Sequence, residues 1–143
     1  MEPRAQLQTL VEALLIRACA RTALVYGRRA LLAAAGDLAI VDPVDPSALV
    51  AGVVQAGGSG ETDELWCPYR GAPGATLHLR LLERRAVLCL IFDRRTTAGL
   101  VRLRLRDDAA ALASAVAALG CAPMTDDEID ALFGGARLQD MSR

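Results

Sequence analysis

The stretch 86–105, A-V-L-C-L-I-F-D-R-R-T-T-A-G-L-V-R-L-R-L, decides the fold. Its first seven residues, Ala86 to Phe92, form a continuous apolar run that stops at Asp93. A run of this length, rich in branched and aromatic side chains, suits a strand buried on both faces. A polar hinge follows, with Thr96, Thr97 and Gly99. The segment beyond it reads two ways. Val101, Leu103 and Leu105 alternate with Arg102, Arg104 and Arg106, as in a strand. Val101, Leu105, Leu112, Val116 and Leu119 also fit one helical stripe, with Ala109 filling the gap. Ala109–Leu119 has the composition of a helix. One helix over 97–119 is the reading adopted, because a strand would line three arginines along one face.

Working outward from this unit, Thr76–Leu82 alternates. Leu77, Leu79 and Leu81 face one way, His78 and Arg80 the other, which predicts a half-buried strand. Glu83-Arg84-Arg85 turns it into the central strand. Leu65–Tyr69 carries the only Trp, Trp66, and is expected as a short or edge strand. Upstream, Pro3–Ala20 has Leu7, Leu10, Val11, Leu14, Leu15 and Ala18 at helical spacing, with Pro3 tolerated in the first turn. Thr22–Tyr26 and Ala30–Ala35 are expected to pair as a hairpin about Gly27-Arg28-Arg29, and Gly36-Asp37 interrupts the apolar run before it resumes at Leu38–Val41.

Asp42-Pro43-Val44-Asp45-Pro46 breaks the chain. Asp45 and Pro46 then suit the start of a short helix, Pro46–Ala56. Leu49, Val50, Val53 and Val54 form its apolar stripe. Gly57-Gly58-Ser59-Gly60 ends it and opens a loop through Glu64. At the other end, Thr125-Asp126-Asp127-Glu128 is a capping box. It precedes a short stripe of Ile129, Leu132 and Phe133. The order is α-β-β-α-β-β-β-α. This is an α+β domain with an antiparallel five-stranded sheet over about residues 1–120, followed by a tail, 121–143, with a short amphipathic helix.

Composition narrows the function. All 16 basic residues are Arg against 17 acidic ones, so the net charge is −1 and nothing argues for nucleic acid. Aromatics are only 3% of the chain, so the core is built from Leu, Val and Ala and gains from extra burial in a homo-oligomer. The four cysteines, Cys19, Cys67, Cys89 and Cys121, form no C-x-x-C pair, and His78 is the single histidine. A zinc site is not expected. Cys19 and Cys89 read as buried small hydrophobes. With no signal-peptide layout and no apolar stretch of membrane-spanning length, a cytoplasmic location without membrane insertion is the expectation.

No residue set assembles a reaction. Gly57–Gly60 lacks the G-K-[ST] end of a phosphate loop, and there is no G-x-S-x-G elbow. His78 reads as a polar strand-face residue rather than a catalytic base. The acidic group Asp126, Asp127, Glu128 and Asp130 lacks calcium-loop spacing and fits charge compensation at a helix start. Arg94 or Arg95 in the hinge is a conceivable arginine finger, against ordinary salt bridging. No enzymatic activity, cofactor or metal is expected. Surfaces remain. Leu49, Val50, Val53 and Val54, then Trp66 and Tyr69, are candidates for a dimer or partner interface. Ile129, Leu132 and Phe133 suit a helix docking in a groove.

Two patterns, V-L-C-L-I-F-D-R-R-T-T-A-G-L-V-R-L-R at 87–104 and A-R-T-A-L-V-Y-G-R-R-A-L-L-A-A-A-G-D at 20–37, resemble the bacterial Roadblock/dynein light-chain family. The first has that family's hydrophobic strand, Asp, Thr-rich link and Gly-Leu-Val-Arg helix start. The second is similar to its first hairpin, with the turn glycine at Gly27 rather than near Arg29. The resemblance implies a non-enzymatic dimeric scaffold in which the Pro46–Ala56 helix meets its symmetry mate. It also implies partners: a small Ras-like GTPase, or the Roadblock-type regulator of one, in polarity or gliding motility. The alternative reading of the same element order is a small-molecule-sensing module of PAS-like or GAF-like shape.

Overall fold

The computed structural model describes residues 2–27, 31–40, 59–61, 64–69, 72–123 and 125. The helix expected at Pro46–Ala56, and with it Leu49, Val50, Val53 and Val54, lies outside the described residues. So do Gly57-Gly58 and the tail stripe Ile129, Leu132 and Phe133.

Helix α1 spans Pro3–Ala18, with Pro3 in the first turn where a missing N–H costs nothing. It ends at Cys19, whose φ of 56° places it in the left-handed region, where its N–H reaches the carbonyl of Ile16. Cys19 is therefore exposed, which corrects its reading as a core residue. The chain must turn outward to leave the helix, and the side chain goes with it. Strand β1, Thr22–Tyr26, is buried throughout and pairs with β2, Leu31–Gly36. The apolar run at Leu38 does not continue the strand. Gly36 has φ 88°, and Asp37 Oδ1 accepts the Ala39 N–H at 3.1 Å, so the chain folds into a 3₁₀ turn over Leu38–Ile40.

The remaining strands are β3 (Ser59–Glu61), β4 (Glu64–Tyr69), β5 (Ala75–Leu82) and β6 (Ala86–Phe92). The second helix, α2, spans Ala98–Ala118. Thr97 caps it by accepting the Leu100 N–H on its hydroxyl at 3.2 Å. The sheet is antiparallel, in the order β2-β1-β6-β5-β4-β3. The five expected strands are present, and the three-residue β3, expected as loop, extends one edge.

Strand β6 explains its own sequence. All seven residues are buried, and they divide between two apolar clusters, one on each side of the sheet. Ala86, Leu88, Leu90 and Phe92 face α1 and α2, against Leu7, Val11 and Leu14 of α1 and Val101, Leu105, Leu112 and Val116 of α2. Val87, Cys89 and Ile91 face the other way, into a second cluster with Leu24, Tyr26, Leu77, Leu79 and Leu81. Two cores on either side of one strand leave no position for a polar residue, hence the unbroken run. The helices are tied to each other by Arg17 Nη1 and Asp108 Oδ1 at 2.5 Å. No helix among the described residues is long and apolar enough to cross a membrane.

Candidate interaction surface

Trp66 on β4 stands opposite His78 on β5 in the antiparallel register. Adjacent strands in that register bring facing side chains close enough to touch. The two rings stack, with centroids 5.7 Å apart and planes 24° from parallel. His78 alternates with Leu77 and Leu79, which belong to the second cluster, so its ring lies on the helix side of the sheet. From that side α2 adds Arg102, whose guanidinium carbon is 4.9 Å from the centre of the Trp66 rings. The indole thus touches both an imidazole and a guanidinium. Contacts of these two kinds contribute about 0.5–2 kcal/mol each.

His78 is 2% exposed, which corrects the reading of it as a solvent-side polar residue. The physical reason is α2, which lies across the helix face and, with Trp66, covers the ring. Burial first and the Arg102 charge second lower its pKa to about 4. The ring is therefore neutral in the folded protein at pH 7.

A pH dependence follows. Unfolded His78 takes up its proton below its ordinary pKa of 6.5, whereas the folded chain takes it up only near 4. Between those values the unfolded state binds more protons, so stability rises with pH. The contribution is complete above pH 6.5 and lost on descending to pH 4, with a ceiling of roughly 3 kcal/mol. Urea midpoints at pH 7 and pH 4.5, read on the emission of Trp66, are expected to fall accordingly. In His78→Phe the difference between the two pH values is expected to shrink.

Tyr69 occupies the opposite face of β4, pairing with Ala75 and packing against the second cluster. Its hydroxyl donates to the Ile40 carbonyl at 2.5 Å, and burial raises its pKa. Trp66 and Tyr69 are therefore brought together in sequence but set on opposite sides of the sheet. Both sit near the edge of the sheet at β3 and β4, and both remain partly exposed.

The hinge after β6 is organised by Asp93. Its carboxylate accepts the Arg95 N–H at 3.0 Å, lies 3.3 Å from Arg95 Nε and 3.8 Å from Arg21 Nε. Arg21 also reaches Asp37 at 3.2 Å. The Arg95 N–H first, with the charges of Arg95 and Arg21, holds the Asp93 carboxyl below its ordinary range. Arg94 and Arg95 are exposed, and Arg95 is engaged with Asp93. Cys89 is buried as expected, and burial pushes its thiol pKa up, away from nucleophilic reactivity. Among the described residues no group of three or more His, Cys, Asp or Glu side chains is arranged to hold a metal ion.

Trp66 is legible in the sequence as a candidate surface aromatic, but its two partners are not. The Trp66–His78 contact depends on the register between β4 and β5. Arg102 reaches the pair only once 97–119 is taken as a helix crossing that face.

No protein-family model matches the sequence, and no curated protein matches it. Solved structures do. The chain is 23% identical to "Myxococcus xanthus MglB", with a TM-score of 0.65 over 88% of this chain and 97% of that one. It is 22% identical to the gliding protein MglB of Thermus thermophilus, with a TM-score of 0.59 over 82% and 93%. Profilin II of Acanthamoeba castellanii aligns with a TM-score of 0.55 at 14% identity, over 75% and 96%. The superposition spans most of both chains: this chain has the Roadblock-type α+β fold of the MglB proteins.

Proposed function

We propose that this chain is a non-enzymatic, self-associating adaptor or regulator in a small Ras-like GTPase system of polarity or gliding motility. It works in the cytoplasm by binding proteins, without a cofactor. Its direct partner is an MglB-type Roadblock regulator or the GTPase itself, so the role is like that of MglC. The observation that carries this reading is the match of nearly the whole chain to almost the full length of MglB. The partly exposed stacked indole on β4 supports it, since Trp is enriched at binding hot spots. In this reading Leu49, Val50, Val53, Val54, Trp66 and Tyr69 line the self-association or partner surface. Ile129, Leu132 and Phe133 act as a docking segment.

The test is a pull-down of the full chain against an MglB-type regulator and against a small Ras-like GTPase, with light scattering for self-association. Binding to either partner and a mass of two chains are expected. Val53→Glu is expected to reduce the mass to that of one chain, and Trp66→Ala to weaken partner capture at least tenfold, with circular dichroism unchanged. A single-chain mass with neither partner captured overturns the reading. A thermal shift produced by a nucleotide or metabolite alone replaces it with a small-molecule sensor.

A further inference from the structure

Strand β2 is one edge of the sheet, and its sequence is unusual for an edge. Leu31–Gly36 reads L-L-A-A-A-G, with no charge and no proline. Edge strands ordinarily carry such residues because a bare row of N–H and C=O groups templates pairing with another chain. This strand therefore carries nothing of its own to deter pairing with another chain.

The structure supplies protection from elsewhere. Gln8 of α1 reaches the outer side of β2 and bonds both backbone groups of Ala34. Its Nε2 donates to the Ala34 carbonyl at 2.7 Å, and its Oε1 accepts the Ala34 N–H at 3.2 Å. This is the pattern of two bonds that a neighbouring antiparallel strand would make. The second Nε2 hydrogen is occupied by Glu12 Oε1 at 3.0 Å, one helical turn along α1. Glu12 therefore sets which end of the amide meets which backbone group. Independently, the pairing of β2 with β1 slips between Val25↔Ala33 and Tyr26↔Leu31, leaving Leu32 as a bulged residue. A bulge bends an edge strand and spoils its register for a further partner.

We propose that Gln8, oriented by Glu12, acts as a one-residue strand that seals the β2 edge against a second copy of this chain. A second copy is the occupant because antiparallel pairing of β2 with its own twin is self-complementary and needs no other sequence. The seal is the side-chain equivalent of strand addition, made within one molecule and so always present at its site. It does not depend on the functional reading above. The mass of the wild-type chain tests that reading, whereas only the change caused at Gln8 tests this one.

The experiment compares the full-length wild type with Gln8→Met, which keeps bulk and helix propensity but loses all three hydrogen bonds. Amide hydrogen exchange at Ala34 and the light-scattering mass from low to high concentration are read on both. In the variant, Ala34 exchange is expected to accelerate at least tenfold. Its mass is expected to rise with concentration beyond the wild-type value. Should Gln8→Met fail to fold, Glu12→Ala, which frees the amide to rotate, is expected to give the same two changes in smaller degree. An Ala34 amide that already exchanges in the wild type as fast as an exposed amide overturns the proposal. So does a folded variant whose mass follows the wild type at every concentration.

Discussion

Gly36→Ala is expected to destabilise the fold by about 3 kcal/mol or more, although it adds a single methyl group. Gly36 ends β2 with φ 88°, a conformation that side-chain-bearing residues rarely adopt. A Cβ built there falls 2.2 Å from the carbonyl oxygen of Arg21 and 3.1 Å from Leu15 Cδ1. That carbonyl cannot retreat easily. It accepts the Asp37 N–H at 2.9 Å, and the N–H of the same residue donates to Ile91 at 2.8 Å. Relief of the clash would pull β1 away from β6 at the point where the two begin to pair. Backbone strain and the collision together are expected to cost about 3 kcal/mol or more. Gly74→Ala is the control. Its φ is 71°, yet nothing lies within 4 Å of the added carbon, so only the strain of about 1 kcal/mol applies. A urea titration of both variants, followed by circular dichroism, separates the two contributions.

Leu90→Ala is the second large effect, expected at about 2–5 kcal/mol. Leu90 is fully buried at the middle of β6, between Ala23 of β1 and His78 of β5, and faces the helix-side core. Ala23 and Ala35 on the same face are too small to fill the space left behind, so the cavity is expected to persist rather than collapse. Leu103→Ala on α2 provides the contrast. Its side chain is 52% exposed, and the change is expected within about 0.5 kcal/mol of neutral. Trp66, being the single tryptophan, reports both transitions from within the same face of the sheet.

How much of this is legible in the sequence depends on which force sets each element. Ala86–Phe92 is readable to the residue, because two cores leave a run with no polar interruption and Asp93 ends it. The helix from Thr97 is readable despite its Arg/Leu alternation, since Leu112 and Val116 extend the helical stripe far beyond any strand. The faces of Thr76–Leu82 are also legible for Leu77, Leu79 and Leu81. The burial of His78 is not, because alternation tells which side a residue faces, not whether a helix covers that side. The break at Gly36-Asp37 is legible, but the 3₁₀ turn over Leu38–Ile40 is not, because a capping Asp and a left-handed glycine override three apolar residues. Trp66 stands out as a rare aromatic, but its stack with His78 and Arg102 is made by strands and a helix far apart in sequence. The bond from Gln8 to Ala34 has no local signature, since a glutamine on a helix is ordinary until the strand beneath it is known.

The placing of β6 between β1 and β5 also governs how the chain comes into being. Residues 22–26 find one of their two neighbours only in residues 86–92, and α1 settles against a helix that ends at residue 118. During synthesis the N-terminal helix and hairpin therefore emerge without the surfaces that would bury them. Closing so distant a pairing is slow compared with forming a local hairpin or helix. The pairing of β1 with β6 and the packing of α1 on α2 therefore wait until residues 86–118 have been synthesised.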